Sequence, residues 1–256
     1  MPKIAAQDKF FDLSDYGRPI AIVLANQLKN TRCTPVYVTL LFGLVGLVAV
    51  YCILKGHYGW AGFLLILKSI LDAVDGELAR AKNTPSYTGR YLDSIFDIAL
   101  NFLFLMAICY TSETTFLYAV LAFMALQWQG TLYNYYYVIL RHKSAGGDST
   151  SKIFEDRCPV ALPGENQKTV AVLFALFSVF YGLFDKTIYF LDRGASKVER
   201  FPNWFMTFLS IYGLGFQLLI MAMMLPMGLI EYIIPFFIGY SVFVFVLIGI
   251  RKAFLV

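Results

Sequence analysis

Charge is what this sequence has least of. Asp, Glu, Lys and Arg make up only 15% of its 256 residues, against 59% hydrophobic residues and a mean hydropathy of +0.64. Soluble domains carry about 25% charged and 45–50% apolar residues, so the polar surface needed to cover a water-soluble fold is missing and an integral membrane protein is expected. Histidine is also scarce. His57 and His142 stand without ligand-spaced partners, so neither is assigned chemistry. Cys33, Cys52, Cys109 and Cys158 show no CxxC spacing, and two of them lie inside apolar runs, so neither a disulfide framework nor a zinc site is indicated. The first thirty-five residues lack the basic, apolar and small-residue layout of a cleavable signal, so the N-terminus is expected to be retained. A net charge of +4 is too small and scattered to argue for nucleic acid.

Long apolar stretches are abundant. Crossing a hydrocarbon core of about 30 Å takes roughly 20 residues, and suitable segments lie near 36 to 54, 58 to 75, 91 to 110, 115 to 140, 168 to 191, 203 to 225 and 228 to 250. The expected fold is an all-α polytopic bundle of six to seven spans. It divides into an N-terminal segment, 1–35, and a membrane domain, 36–256. Within the first, Ile20, Val23, Leu24 and Leu28 recur at helical spacing after Pro19, as in an interfacial helix. Lys and Arg accumulate in cytoplasmic loops. That rule places Lys3, Lys9, Arg18, Lys29 and Arg32, then Arg80, Lys82 and Arg90, then Arg141, Lys143, Lys152, Arg157 and Lys168 inside, while the first two outer loops hold Lys55 alone. Arg251 and Lys252 leave the side of the C-terminus open.

Carboxylates at a membrane edge are costly, of order 2.5–3.5 kcal/mol for Asp at a helix centre, and are functional candidates for that reason. Four occur together. Asp72, Asp75, Gly76 and Ala79 fall at i, i+3, i+4 and i+7 on the helix ending the second span, and Gly89, Asp93 and Asp97 at i, i+4 and i+8 on the helix opening the third. Pro85, within Asn83-Thr-Pro-Ser-Tyr-Thr88, predicts a reversal that lets the two acidic faces meet. Such carboxylates repel one another unless a cation sits between them. An oxygen-only set favours hard cations such as Mg2+ or Mn2+, and two of them can clamp a pyrophosphate. Gly76 and Gly89 leave room on the same faces for a ligand or a facing helix.

The whole string, Asp-x2-Asp-Gly-x2-Ala-Arg-x8-Gly-x3-Asp-x3-Asp over residues 72–97, resembles the signature of the CDP-alcohol phosphotransferase (CDP-alcohol phosphatidyltransferase) family and matches every position of it. Thr34-Pro-Val-Tyr-Val-Thr39-Leu40 is similar to the Pro-x-x-x-Thr opening of the first span in many members. The resemblance implies a six-helix core, a homodimer, and a phospholipid-synthesis enzyme that transfers a substituted phosphate from a CDP-alcohol to a hydroxyl acceptor and releases CMP at a cytoplasm-facing site. It implies that Asp72, Asp75 and Asp93, with Asp97 beside them in the metal-binding set, hold two divalent ions. Asp97 would also deprotonate the acceptor hydroxyl. Gly76, Ala79, Arg80 and Gly89 would face the cytidine nucleotide, with Thr39 a further nucleotide contact. The expected donor is the membrane lipid CDP-diacylglycerol, with serine, glycerol phosphate, inositol or inositol phosphate as acceptors. Ile98 stands where members using inositol phosphate often carry a basic residue, which counts against that acceptor. An aminoalcohol phosphotransferase, passing CDP-choline or CDP-ethanolamine groups to diacylglycerol, is the alternative.

Phosphorylated acceptors need extra cations, and Arg90, Arg141 and Lys143 are candidates for binding them. Tyr133-Asn-Tyr-Tyr-Tyr137 reads as an interfacial aromatic belt, and the loop from about 144 to 167 as either a lid or a linker. Gly43 and Gly46 read as packing positions. Intramembrane prenyltransferases also use aspartate motifs with Mg2+, but place them far apart in the chain and lack the Gly-x-x-Ala-Arg tail. A cation transporter would place its acids nearer mid-membrane. Here Arg80, Lys82 and Arg90 bracket them at the cytoplasmic edge.

Overall fold

The computed structural model describes residues 8–144, 152 and 155–255, and among these there is no strand. Ten helices follow in order: α1 (Arg18–Leu28), α2 (Pro35–Leu54), α3 (Tyr58–Lys82), α4 (Tyr87–Thr111), α5 (Phe116–Ser144), α6 (Gln167–Leu191), α7 (Asn203–Leu209), α8 (Leu214–Met224), α9 (Ile230–Tyr240) and α10 (Val242–Phe254). The all-α membrane bundle expected from the sequence is the fold observed. Helices α2, α4, α6 and the stretch Ile230–Phe254 are each long and apolar enough to cross a membrane. At 25 and 29 residues, α3 and α5 match their neighbours in length, but their inner halves carry polar residues that face a cavity. Lys3 and the Gly146–Ser151 part of the loop lie outside the described residues.

Two expected spans are broken. The segment expected at 203 to 225 turns through 52° between Asn203–Tyr212 and α8. Its cause is the chain's own N-terminal segment, which seats on the bend. The Leu13 amide donates to Ser210 Oγ at 2.9 Å. A Cβ at Gly213 would stand 2.3 Å from the Ser14 side chain, and one at Gly215 only 2.0 Å from the Ser14 carbonyl oxygen, so any side chain there would expel the segment. The last span is interrupted at Ser241, between α9 and α10, and Pro235 inside α9 removes one helical N–H besides.

The main core gathers Phe42, Leu65, Phe104, Ile108, Leu126, Met221 and Phe237 from α2, α3, α4, α5, α8 and α9. Close approach of α2 to α4 depends on Gly46, where a Cβ would fall 2.6 Å from Leu100 Cδ1. Helix α1 lays Ala21 and Ala25 against Val74 and Leu78 of α3, and Arg18 Nε donates to Glu77 at 2.9 Å. Its Ile20 and Val23 are exposed, as are Leu44, Leu47, Trp60, Phe63, Val179 and Phe245 on other helices. A surface of that kind is stable only against lipid. This is an integral membrane protein.

Candidate active site

The acidic residues are brought together by a tight reversal between α3 and α4. Asn83 closes α3 in the left-handed conformation, φ 53°, and the Thr84 amide returns to the Ala79 carbonyl at 3.0 Å. Two residues later Ser86 caps α4, accepting from the Gly89 amide at 2.9 Å. The cap is itself capped. Glu165 accepts from Ser86 Oγ at 2.8 Å and from the Thr88 and Tyr87 amides at 2.7 and 3.2 Å, placing a carboxylate at the positive end of α4. Burial acts to raise the Glu165 pKa, but the hydrogen bonds from Thr88 and Ser86 outweigh it and hold the carboxyl below the ordinary glutamate value. A second strap joins the same loop to α4: Glu155 pairs with the Arg90 guanidinium through both oxygens and accepts from Tyr91 Oη at 3.1 Å. The described part of the loop is thus tied to the motif helix at two points.

Across the hairpin, Asp72, Asp75 and Asp93 each bring a carboxylate oxygen within 4.8 Å of the others. Oxygens ligating one hard cation at 2.0–2.6 Å stand about 3–5 Å apart, so the spacing suits such an ion. Asp93 Oδ1 is buried with no hydrogen-bond partner among the described residues, a cost that a bound cation removes. Thr39 Oγ1 donates to Asp75 Oδ2 at 2.8 Å and fixes that carboxylate from α2. The fourth aspartate behaves differently. Asp97 is held by Lys68, whose buried ammonium bonds Asp97 Oδ1 and reaches Asp72 Oδ2 at 3.1 Å. Lys68 lies four residues before Asp72 on α3 and also sits over the Phe42 ring, 4.6 Å from its centroid. The constellation is therefore three clustered carboxylates plus a lysine-paired fourth. The ammonium draws Asp97 away from the cluster.

These groups open into a cavity of about 440 Å³. Of the candidate residues, Asp72, Asp75, Gly76, Arg80, Arg90, Asp93, Asp97 and Arg141 line it. Thr39, Ala79 and Gly89 do not form its walls: Thr39 acts from behind Asp75, and Gly89 serves the Ser86 cap. Lys143 lies elsewhere. Its ammonium bonds the Val198 carbonyl and borders a smaller cavity with Asp8, Glu199 and Arg200, because two residues beyond Arg141 it points from the opposite side of α5. The tyrosine run is no lipid-facing belt either. Tyr136 is fully buried and Tyr135 nearly so, among Phe201, Phe205 and Leu209, while Tyr133, Asn134 and Tyr137 face the cavity. Cavity residues not expected from the sequence include Asp12, Asp15, Glu155, Tyr181 and Asp185. Asp12 accepts from Tyr133 Oη at 2.5 Å, and burial raises its pKa despite the hydrogen bonds from Tyr133 and Ser14.

The sequence is 35% identical over 101 residues to the bifunctional IPC transferase and DIPP synthase of Thermococcus kodakarensis, a match covering 40% of this chain and 23% of that protein. It is 47% identical over 57 residues to the protein of the same name from Archaeoglobus fulgidus, covering 22% and 12% respectively. The matches thus span less than a quarter of these relatives. A family match is far more extensive, running over residues 32–246 and enclosing the hairpin, its carboxylates and the helices that wall the cavity. The chain belongs to the CDP-alcohol phosphatidyltransferase family.

Proposed function

We propose that this enzyme transfers a phosphatidyl group from CDP-diacylglycerol to a small alcohol, releasing CMP, at a site facing the cytoplasm. The observation that carries the reading is the convergence of Asp72, Asp75 and Asp93 within 4.8 Å beside a separately held Asp97. Magnesium or manganese ions, two in number by family resemblance, would be held by those three carboxylates and would neutralise the pyrophosphate as it is cleaved. Gly76 leaves space on the α3 face for the nucleotide, where an added Cβ would meet only the Arg80 guanidinium at 3.5 Å. Arg80, oriented by Glu77 at 2.8 Å, lies within reach of its phosphates. Lys68 fixes Asp97 through Oδ1 and leaves Oδ2 to take the proton of the attacking hydroxyl. Phosphoryl-type transfer depends on such positioning and charge compensation more than on covalent help. The basic inner loops support the cytoplasmic orientation, and a homodimer follows from the family.

Purified protein incubated with Mg2+ or Mn2+ and a panel of CDP-diacylglycerol, CDP-choline and candidate acceptors should release CMP and form a lipid product from CDP-diacylglycerol. Chelation should abolish release, and activity persisting in chelator would remove the metal model. Asp97→Asn should keep CDP-alcohol binding while turnover falls about 10²–10⁴-fold.

A further inference from the structure

The cavity is charged at one end and neutral at the other. Along α5 the cavity-facing residues run Gln127, Thr131, Asn134 and Arg141, so that over about 20 Å of helix the wall passes from amide and hydroxyl to guanidinium. The neutral end is completed by Asn101, one turn beyond Asp97 on α4 and away from the hairpin, and by Gln217 on α8. All four floor residues are deeply buried: Gln217 is 1% exposed, Asn101 4%, and Gln127 and Thr131 5% each.

Buried amides and hydroxyls are normally satisfied, and the contrast within this group is informative. Gln217 donates both Nε2 hydrogens, to the Leu126 carbonyl and to Gln129 Oε1, each at 3.1 Å. Gln129 in turn donates to the Phe237 carbonyl at 3.0 Å and Ser241 Oγ at 2.9 Å. This relay locks the Gln217 side chain and leaves its Oε1 as an acceptor. Gln127 Nε2 and Thr131 Oγ1, by contrast, find no hydrogen-bond partner among the described residues, although both belong to the cavity wall. A fixed acceptor, an unused amide donor and an unused hydroxyl are therefore carried by residues of one cavity wall that also includes Asp97.

We propose that Asn101, Gln127, Thr131 and Gln217 form a subsite for the uncharged, hydroxyl-rich part of the acceptor alcohol, holding its spare hydroxyls while the reacting one lies at Asp97. This rests on the transferase reading proposed above and narrows its substrate class. Hydroxyls suit the floor because each both donates and accepts. An acyl or glyceride acceptor would leave the amide and hydroxyl unpaired in an apolar contact. A phosphate or ammonium group would meet no opposite charge among the floor residues, while Arg141 and Lys152 line the cavity elsewhere.

The test uses the purified full chain with Mg2+ and CDP-diacylglycerol, with glycerol, inositol, ethanolamine and dioctanoylglycerol as acceptors. Glycerol or inositol should support CMP release. Gln127→Leu and Thr131→Val should each raise the acceptor KM about tenfold, the scale of one lost hydrogen bond, with donor KM unmoved. Thr131→Ser should stay within about twofold of the parent. If Gln127→Leu fails to fold, the near-isosteric Thr131 pair still decides. Unchanged acceptor KM in the folded variants, a rise in donor KM instead, or turnover of dioctanoylglycerol or ethanolamine with the polyols refused would each overturn the subsite. Binding of radiolabelled inositol and glycerol with CDP and Mg2+ present separates the two readings. If no acceptor supports CMP release, binding that is lost in Thr131→Val sustains the subsite while the transfer reaction falls, and absent binding overturns both.

Discussion

Two clusters of buried charge occupy this chain on opposite terms. In the first, Asp72, Asp75, Asp93 and Asp97 share one ammonium, Lys68, and face a cavity. In the second, Asp192 at the end of α6 pairs with Arg251 of α10, accepts from Tyr136 Oη at 2.5 Å, and offers its backbone carbonyl to Tyr135 Oη at 2.9 Å. Asp192 is 0% and Arg251 6% exposed, packed beside the aromatic cluster of Tyr136, Phe201 and Phe205. One carboxylate meets one guanidinium there: Oδ1 faces the Arg251 guanidinium, Oδ2 accepts from Arg251 Nε and Tyr136 Oη, and the backbone carbonyl accepts from Tyr135. The closed cluster is neutral and complete without any further partner. The open one keeps an excess of carboxylates over the one ammonium that pairs with them, which a bound cation or a proton balances. Charge imbalance, rather than burial, is what separates the open constellation from the closed one.

The largest test of that contrast is to remove one charge from each. Asp93→Asn should lower CMP release by at least about a thousandfold, yet leave the unfolding midpoint in chelator unchanged or raised, because a like-charge repulsion is relieved. Next in size is Arg251→Met. It leaves Asp192 unpaired in the interior and should destabilise by about 3–5 kcal/mol, while the folded fraction keeps its specific activity. Asp192→Leu combined with Arg251→Met should recover most of that loss, since a buried pair and a well-packed apolar pair differ little in net stability. A double variant no more stable than the single one would break the comparison, and so would an Arg251→Met protein that folds normally but fails to turn over.

The acidic hairpin was legible because its signal is local. Spacings of three and four residues place side chains on one helical face whatever surrounds them, and Pro85 with Ser86 marks the reversal. Lys68 was equally local, four residues before Asp72 in an apolar run, and a search for i, i+4 charge partners would have found it. The N-terminal wall was not readable in that way. Asp12 and Ser14 reach the site through a segment without helical periodicity, anchored by a contact 197 residues distant in sequence. The break at Gly213 has the same origin, since an apolar composition is the same for a straight span and one bent around an inserted chain. The tyrosines of α5 show a third limit. Aromatic residues near a helix end suit lipid and cavity alike, and what distinguishes this face is the polar stripe Gln127, Thr131 and Asn134 running along it.

Lys68 sharpens the comparison further, because among the described residues it is the cation that pairs with Asp72 and Asp97 inside the open cluster. Lys68→Met removes the group that orients Asp97 and also one positive charge beside the clustered carboxylates. Turnover should fall by about 10–100-fold, while the metal concentration for half-maximal activity moves downward, because less positive charge opposes the cation. Lys68→Arg should restore part of the turnover, as charge is kept but the fork geometry differs. An upward move in metal requirement would mean that Lys68 supports the metal site instead of competing with it.

The smallest effect belongs to Glu165, a partly exposed carboxylate whose role is to cap the motif helix. Its pKa is lower folded than unfolded, so its contribution to stability is fully present above the unfolded value and is lost as pH falls through the folded one. Glu165→Gln removes that linkage. At pH 7 the variant should melt lower than the parent by only about 1–2 °C, given the solvent screening of an exposed carboxylate, and the gap should close as pH is brought below about 4. Equal melting at pH 7 would show that the cap works through its hydrogen bonds alone, which the amide retains in part. A gap that widens in acid would show that the negative charge at the head of α4 opposes the carboxylates about two and three turns further on, instead of serving the helix that carries them.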